Sequence, residues 1–145
     1  MLSNIFSSAN ISASGMSAER QRMEVIANNI ANANSTQSSE GGPYRRQQLI
    51  FAAALDNSAA SNSTGFRGVE VVGQVADDSE LPEVYIPGHE HADPVTGMVT
   101  MPNVQIPNEM VDLITASRSY EANLKAMTTF KEMVEQTLRL LRGGV

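Results

Sequence analysis

The sequence predicts a mainly α-helical protein with a small β segment between its two terminal helices. Near the N-terminus, apolar or small residues recur three, four or seven positions apart, which is typical of a helix. From Ile106 to Met127 the spacing alternates strictly between four and three, which indicates a heptad seam. We therefore expect the two helices to pair as an antiparallel coiled coil built from residues 1–35 and 103–145. Residues 36–102 form a central loop and β-hairpin excursion.

The first helix has a narrow stripe of small and apolar side chains. Six serines and Gly15 fall within its first 17 residues, so its intrinsic helix propensity is low and it needs a packing partner. The stripe consists of Ile5, Ala9, Ser12, Met16, Met23, Ile26, Ile30 and Ala33.

The end of this helix, VIANNIANANS, contains four asparagines, although asparagine competes for backbone hydrogen bonds and disfavours helix interiors. One interpretation is that Asn28 and Asn32, one turn apart, form hydrogen bonds across a helix junction and fix its register. The other is that the helix simply frays here, with Asn32 or Asn34 in a left-handed cap. We assign Asn34 to the helix end, and Asn28 and Asn32 to an interface.

The central segment contains two good strand candidates, 44–51 (YRRQQLIF) and 68–75 (GVEVVGQV). PEVYIP and GMVTM are shorter candidates. Residues 52–65 are small and polar without periodicity, which predicts a mobile loop.

The C-terminal helix is predicted over about 108–142, with Pro107 at its start and Gly143–Gly144 at its end. Its seam consists of Ile106, Met110, Leu113, Ser117, Tyr120, Leu124 and Met127. A second apolar row beside it consists of Phe130, Met133, Thr137 and Leu140. This face is wider than one partner helix covers, so another copy or a paralogous chain is expected on it.

Composition excludes several classes of function. The chain has 16 acidic and 10 basic residues, a formal charge of −6, and no basic patch for nucleic acid. It has no cysteine, which excludes disulfides and Cys-based zinc sites. The N-terminal region lacks the pattern of a secretory signal peptide, and no stretch approaches the length of a membrane span, so neither feature is expected.

Few residues suggest chemistry. His89, Glu90, His91 and Asp93 could begin a metal site, but the neighbouring Pro-Gly and Asp-Pro pairs are typical of a surface turn, which we favour. Glu109 and Asp112 lie in the first turns of the last helix, where they would offset its dipole. Arg20 and Arg22 are interpreted as a solvated helix face or as partners for a neighbour's carboxylates. No catalytic motif is present, so no enzymatic activity and no cofactor are predicted.

The motifs GMSAERQRMEVIANNIANANS, GGPYRRQ and PGHEHADPVTGMVTMPNVQIPNEMVDLITASRSYEANLKAM resemble the flagellar basal-body rod proteins, most closely the proximal rod proteins of the C type. The resemblance implies export through the flagellar type III apparatus without a cleaved signal, and helical stacking with the terminal helices innermost. It places residues 28–32 and 120–123 at subunit contacts. Pro107 departs from the family pattern and suggests a later start of the last helix.

The resulting hypothesis is a structural subunit of the proximal rod that polymerises through its terminal helices, transmits torque and lies in the periplasm-spanning part of the basal body. Expected partners are further copies, other rod and rod-base subunits and the export apparatus, without nucleic acid. A soluble homo-oligomeric adaptor that binds a partner through its central strands is the alternative, and a small metal-dependent enzyme is a third. The predicted interface residues are Met23, Ile26, Asn28, Asn29, Ile30, Asn32, Met110, Leu113, Tyr120, Asn123, Leu124 and Met127.

Overall fold

Two long helices enclose a β-containing segment in the order of the chain, as the sequence predicts. A computed structural model describes residues 2–38, 41–55 and 66–143. Its elements are α1 (Leu2–Ala31), β1 (Gln47–Leu55), β2 (Phe66–Ala76), β3 (Glu83–Tyr85), β4 (Met98–Thr100) and α2 (Ile106–Arg142). Residues 52–55, predicted as the start of a loop over 52–65, belong to β1 instead; the rest of that predicted loop, 56–65, lies outside the described residues.

The helix α2 begins at Ile106, so the expectation of a later start was wrong. Proline is tolerated in the first helical turn because the backbone N–H groups there have no intrahelical acceptor. The N–H groups of Asn108 and Glu109 both donate to the carbonyl of Gln105, which closes that turn at 3.0 Å. At the other end, the N–H of Gly143 donates to the carbonyl of Arg139 at 2.9 Å.

The buried row of α2 keeps the heptad spacing but differs in register from the predicted seam. Glu109 and Ala116, seven residues apart, are fully buried, whereas Met110 is 53% and Leu124 is 45% exposed. Half-buried side chains continue the row at Leu113, Tyr120, Asn123, Met127, Phe130 and Val134. The predicted seam was chosen by hydrophobicity, which favours methionine and leucine. Hydrophobicity does not predict that a glutamate or an alanine lies in the contact.

The strands form two small sheets. β1 pairs with β2, and β3 pairs antiparallel with β4 in the register Glu83↔Thr100, Val84↔Val99 and Tyr85↔Met98. Val99 is fully buried. Gly97 precedes β4 with a φ of 67°, and a Cβ there would lie 2.8 Å from the ring of Tyr85, so this turn requires glycine.

The chain divides into two compact units. The first contains Met1–Gln21, Phe51–Val72 and Ala116–Val145, and the second contains Arg22–Ile50 and Gly73–Thr115. The division predicted from the sequence, 1–35 with 103–145 against 36–102, stays a prediction.

Candidate functional site

The second unit contains a buried group of hydrogen-bonding side chains that connects α1, the start of β1 and α2. We call it the polar cluster and define it as Asn29, Tyr44, Arg46, Gln47 and Glu109. Asn29 lies on the buried face of α1 and is 1% exposed, and Glu109 lies in the first turns of α2 and is fully buried. The contact between α1, the start of β1 and α2 is therefore polar at this point rather than hydrophobic.

Every hydrogen-bonding position of the Asn29 amide is used. Its Nδ2 donates to the backbone carbonyl of Gln47 at 2.9 Å and to Oε2 of Glu109 at 3.0 Å. Its Oδ1 accepts from the backbone N–H of Gln47 and from the hydroxyl of Tyr44, both at 2.9 Å. A buried polar group is stabilising only when it is satisfied in this way, so the asparagine is specified by its surroundings.

Arg46 provides the counter-charge for the buried glutamate. Its Nε donates to Oε1 of Glu109 at 2.5 Å, and its Nη2 donates to Oδ2 of Asp112 at 3.3 Å. Its Nη1 lies 3.8 Å from Oδ2 of Asp77. One guanidinium thus contacts three carboxylates, because its rigid planar fork directs a different nitrogen to each of them.

Asn103 holds the backbone at Arg46, just before β1, from a second side. Its Oδ1 accepts from the N–H of Arg46 at 2.7 Å, and its Nδ2 donates to the carbonyl of Asp77 at 3.0 Å. Two asparagines, one on α1 and one just before α2, therefore fix the start of β1. This arrangement positions Arg46 over Glu109.

Burial, charge and hydrogen bonds shift the pKa values of three groups in the second unit. Burial raises the pKa of Tyr44 above its usual value of 10.0, and the negative charge of Glu109 adds to this effect. Hydrogen bonds from the backbone and hydroxyl of Ser79 hold the pKa of Asp77 below its usual value. The backbone N–H of Val95 does the same for the pKa of Asp93, in the turn that follows the two histidines.

The asparagines near the end of α1 differ in their contacts within the chain. Asn28 is exposed, and Asn32 donates from Nδ2 to the carbonyl of Asn28 and accepts from the hydroxyl of Ser35 at the helix end. No described residue other than glycine has a positive φ, so the left-handed cap proposed for Asn32 or Asn34 was wrong. The asparagine at the helix junction within the chain is Asn29.

The predicted interface residues differ widely in exposure. Ile26 and Asn29 are buried within the chain, and Asn28, Met110 and Leu124 are exposed. The half-buried members are Met23, Ile30, Asn32, Leu113, Tyr120, Asn123 and Met127. Their role as subunit contacts stays a prediction.

The carboxylates and arginines of the helices interact within the chain. Glu109 and Asp112, which were interpreted as compensating the dipole of α2, also pair with Arg46. Arg22 lies 3.7 Å from Asp112, so it has a partner in its own chain as well as the solvated surroundings expected for it. Tyr44 and Arg46 were not predicted as site residues; the available signal was an arginine pair just before a strand in a chain rich in acidic residues.

The first unit contains a close approach between α1 and α2. A Cβ on Gly15 would lie 3.0 Å from Nδ2 of Asn123, so glycine allows this asparagine to lie against the backbone of α1. The N–H of Val69 on β2 donates to the hydroxyl of Ser14 at 3.1 Å, beside Gly68 with a φ of 115°. Both features follow from small side chains on α1.

The histidine turn forms local contacts. Nδ1 of His91 lies 2.9 Å from the hydroxyl of Thr36, and the N–H of His91 donates to Nδ1 of His89 at 3.1 Å. Within the described part of the chain, no group of three or more His, Cys, Asp or Glu side chains could hold a metal ion. In the same part, no helix is long and apolar enough to cross a membrane.

Two protein families match the two helical regions. Residues 10–37 match the family described as flagella basal body rod protein, and residues 95–140 match the C-terminal region of the flagellar basal body rod FlgEFG proteins. The matched segments contain Asn29 and Glu109, the two buried polar side chains of the cluster. The fold and these matches define the chain as a flagellar rod protein.

Comparison with curated relatives narrows the class from flagellar rod proteins in general to one family of them. The chain is 39% identical to the flagellar basal-body rod protein FlgC of Borreliella burgdorferi, over 96% of this chain and 99% of the relative. It is 42% identical to FlgC of Escherichia coli O6:H1, over 96% and 97%, and 36% identical to FlgC of Bacillus subtilis, over 93% and 97%. The chain belongs to the FlgC family of flagellar basal-body rod proteins, and it is a structural subunit of the rod.

Proposed function

We propose that the chain polymerises through its terminal helices in the proximal rod and transmits torque there. The observation that supports this is the outer face of α2, which exposes large apolar side chains along its length. They include Ile106, Met110, Ile114, Leu124 and Leu138, each at least 40% exposed. Exposing such an apolar face to water is unfavourable, and burying it against further subunits stabilises the assembly.

We propose that α1 and α2 pair as an antiparallel coiled coil. Two contacts in the second unit support the direction: Arg22 lies near Asp112, and Asn29 donates to Glu109. As residue numbers rise along α1, they fall along α2. The heptad spacing of the buried row on α2 supports a coiled-coil seam.

The predicted interface residues divide into two kinds under this proposal. Met110, Leu124 and Asn28 are accessible and would contact neighbouring subunits directly. Ile26 and Asn29 are buried in the protomer and would act by holding the helices in place. The remaining, half-buried members would complete contacts at the edge of the seam.

The proposed partners are further copies of the chain, the adjacent rod and rod-base subunits and the flagellar export apparatus, without nucleic acid. The proposed location is the periplasm-spanning rod, reached without a cleaved signal peptide. FlgC relatives at about 40% identity over nearly their whole length support the rod over the soluble adaptor.

Electron cryotomography of the source bacterium with this coding region deleted in frame tests the function. We expect basal bodies with the export machinery but without a rod, and restoration by the wild-type chain. Complete, motile flagella in the deletion strain would refute the proposal.

Complementation of that strain tests the outer face. Met110→Asp and Leu124→Asp should abolish swimming, because each introduces a charge where apolar contact is proposed. Ala126→Asp is the matched control, since it introduces the same charge at an exposed position of α2 outside the predicted seam. Equal swimming of all three variants would refute the role of this face.

A further inference from the structure

The imidazole of His89 closes the histidine turn, which we define as residues 86–93, between β3 and β4 in the second unit. The backbone N–H of His91 donates to Nδ1 of His89 at 3.1 Å. A backbone N–H can only donate, so Nδ1 must present a free lone pair and the ring proton must lie on Nε2. The hydrogen bond therefore requires the neutral form of His89.

The same kind of turn occurs twice more in this unit, with an aspartate in the place of His89. Oδ1 of Asp93 accepts from the N–H of Val95 at 2.8 Å, and Oδ1 of Asp77 accepts from the N–H of Ser79 at 2.9 Å. In all three turns a side chain accepts from the N–H two residues further on, as in an Asx turn. Hydrogen bonds hold the pKa of both aspartates below its usual value, so both remain acceptors in weak acid. A histidine differs, because it is the side chain that ordinarily gains a proton between about pH 8 and pH 5.

His91 forms a contact that tolerates protonation. Its Nδ1 lies 2.9 Å from the hydroxyl of Thr36, in the segment that follows α1. A hydroxyl can donate to a neutral ring nitrogen or accept from a protonated one, so this hydrogen bond is possible in either state. The two histidines therefore respond differently to acid: His91 keeps its contact with Thr36, whereas His89 loses its contact with the backbone.

The surroundings of the two rings do not offset that loss. The charged groups of the turn itself are Glu90 and Asp93. A cavity of about 240 Å³ lies beside His91, and none of the other described residues that line it is charged: Thr36, Gln37, Gly42, Pro43 and Thr100. Among the residues that the structure describes, no carboxylate forms an ion pair with either ring. The ring centres of His89 and His91 lie 5.6 Å apart, so two protonated rings would also repel each other.

We propose that His89 is a pH-sensitive switch of the histidine turn. At neutral pH its Nδ1 accepts from the N–H of His91 and closes the turn. In acid, a proton from water binds to the lone pair of Nδ1, both ring nitrogens become donors, and the N–H of His91 loses its acceptor. The turn then opens while the contact between His91 and Thr36 persists. This inference is independent of the proposed rod function, because it concerns one turn within a single protomer.

Nuclear magnetic resonance of the ¹⁵N-labelled full-length chain between about pH 8 and pH 5 tests the switch. Long-range spectra of the imidazole nitrogens should show His89 protonated on Nε2 and not on Nδ1 at the upper pH. As the pH falls, the amide proton of His91 should shift upfield, because it loses its hydrogen-bond acceptor. The amide protons of Val95 and Ser79 should shift less, because their aspartate acceptors remain charged.

Two substitutions of His89 separate the switch from other effects of pH. His89→Asn is the matched control, since the Oδ1 of asparagine can accept the same hydrogen bond but does not titrate. Its His91 amide should show only the smaller shift that the ring of His91 itself causes. His89→Ala removes the acceptor at every pH, so at the upper pH its His91 amide should already lie near the position that the wild type reaches in acid.

Either of two results would overturn the inference. One is a His91 amide that shifts equally in the wild type and in His89→Asn. The other is a neutral His89 that carries its proton on Nδ1. Neither result would affect the rod function, which the deletion strain tests separately.

Discussion

The substitution Asn29→Asp tests whether the polar cluster holds the second unit together. It preserves the size and shape of the side chain but replaces two N–H donors with an oxygen. That oxygen would face Oε2 of Glu109, now 3.0 Å from Nδ2, and the carbonyl of Gln47, now 2.9 Å away. Two carboxylates at this distance would repel by about 5 kcal/mol at an effective dielectric constant of about 20.

Protonating the introduced carboxylate costs less free energy than leaving it and Glu109 both charged. Placing a proton on the introduced carboxyl group, whose ordinary pKa is about 3.9, costs about 4 kcal/mol at pH 7 and about 1.4 kcal/mol less for each pH unit below that. A protonated carboxyl donates one hydrogen bond where the amide donated two, which adds about 1 kcal/mol. We therefore expect Asn29→Asp to lower the free energy of unfolding by about 5 kcal/mol at pH 7 and about 2.5 kcal/mol at pH 5.

The sign of this pH dependence follows from linkage. The folded variant binds a proton that its unfolded chain has released at pH 7, so the pKa of the introduced group is raised in the folded state. Its destabilisation must grow as the pH rises. A substitution that merely removed packing would give the same loss at both pH values.

Urea denaturation of the full-length chain at pH 7 and pH 5, followed by circular dichroism, measures this. Asn28→Asp is the matched control: it makes the same chemical change one residue away, at an exposed position, and should cost less than about 0.5 kcal/mol. A loss at Asn29 no larger than at Asn28, or one that is independent of pH, would refute the account of the cluster.

Three further substitutions or titrations follow from the structure. Arg46→Ala should destabilise the protein by about 3–5 kcal/mol, because Glu109 would keep a buried charge without its cation; thermal unfolding measures the loss, and a neutral effect would contradict the pairing. The pKa of Tyr44 is raised above 10.0, so its contribution to stability is present below pH 10 and lost as the pH rises through the higher folded value; ultraviolet titration of the wild type against Tyr44→Phe identifies it. Gly15→Val should cost about 1–3 kcal/mol by forcing apart the close approach to α2, whereas Gly73→Val, with nothing within 4 Å, should not.

The sequence by itself determined the elements and the class of this protein. Its 3.6-residue and heptad periodicities predicted α1 and α2, and its short alternating stretches predicted the four strands to within a few residues. These features arise from local spacing, which any packing of the chain must respect. The motifs around Asn28–Asn32 and Tyr120–Asn123 indicated the rod family, which the FlgC relatives confirm.

Tertiary structure alone decided which polar side chains are buried. Hydrophobic spacing predicted Met110 in the seam, yet Glu109 is buried and Met110 is exposed. A buried glutamate is stable only when other groups pair with it. Glu109 is paired with Arg46 and Asn29, which lie 63 and 80 residues away in the chain. Such partnerships depend on distant segments that periodicity along one helix does not encode, so the sequence predicted the helices but not the polar cluster that joins them.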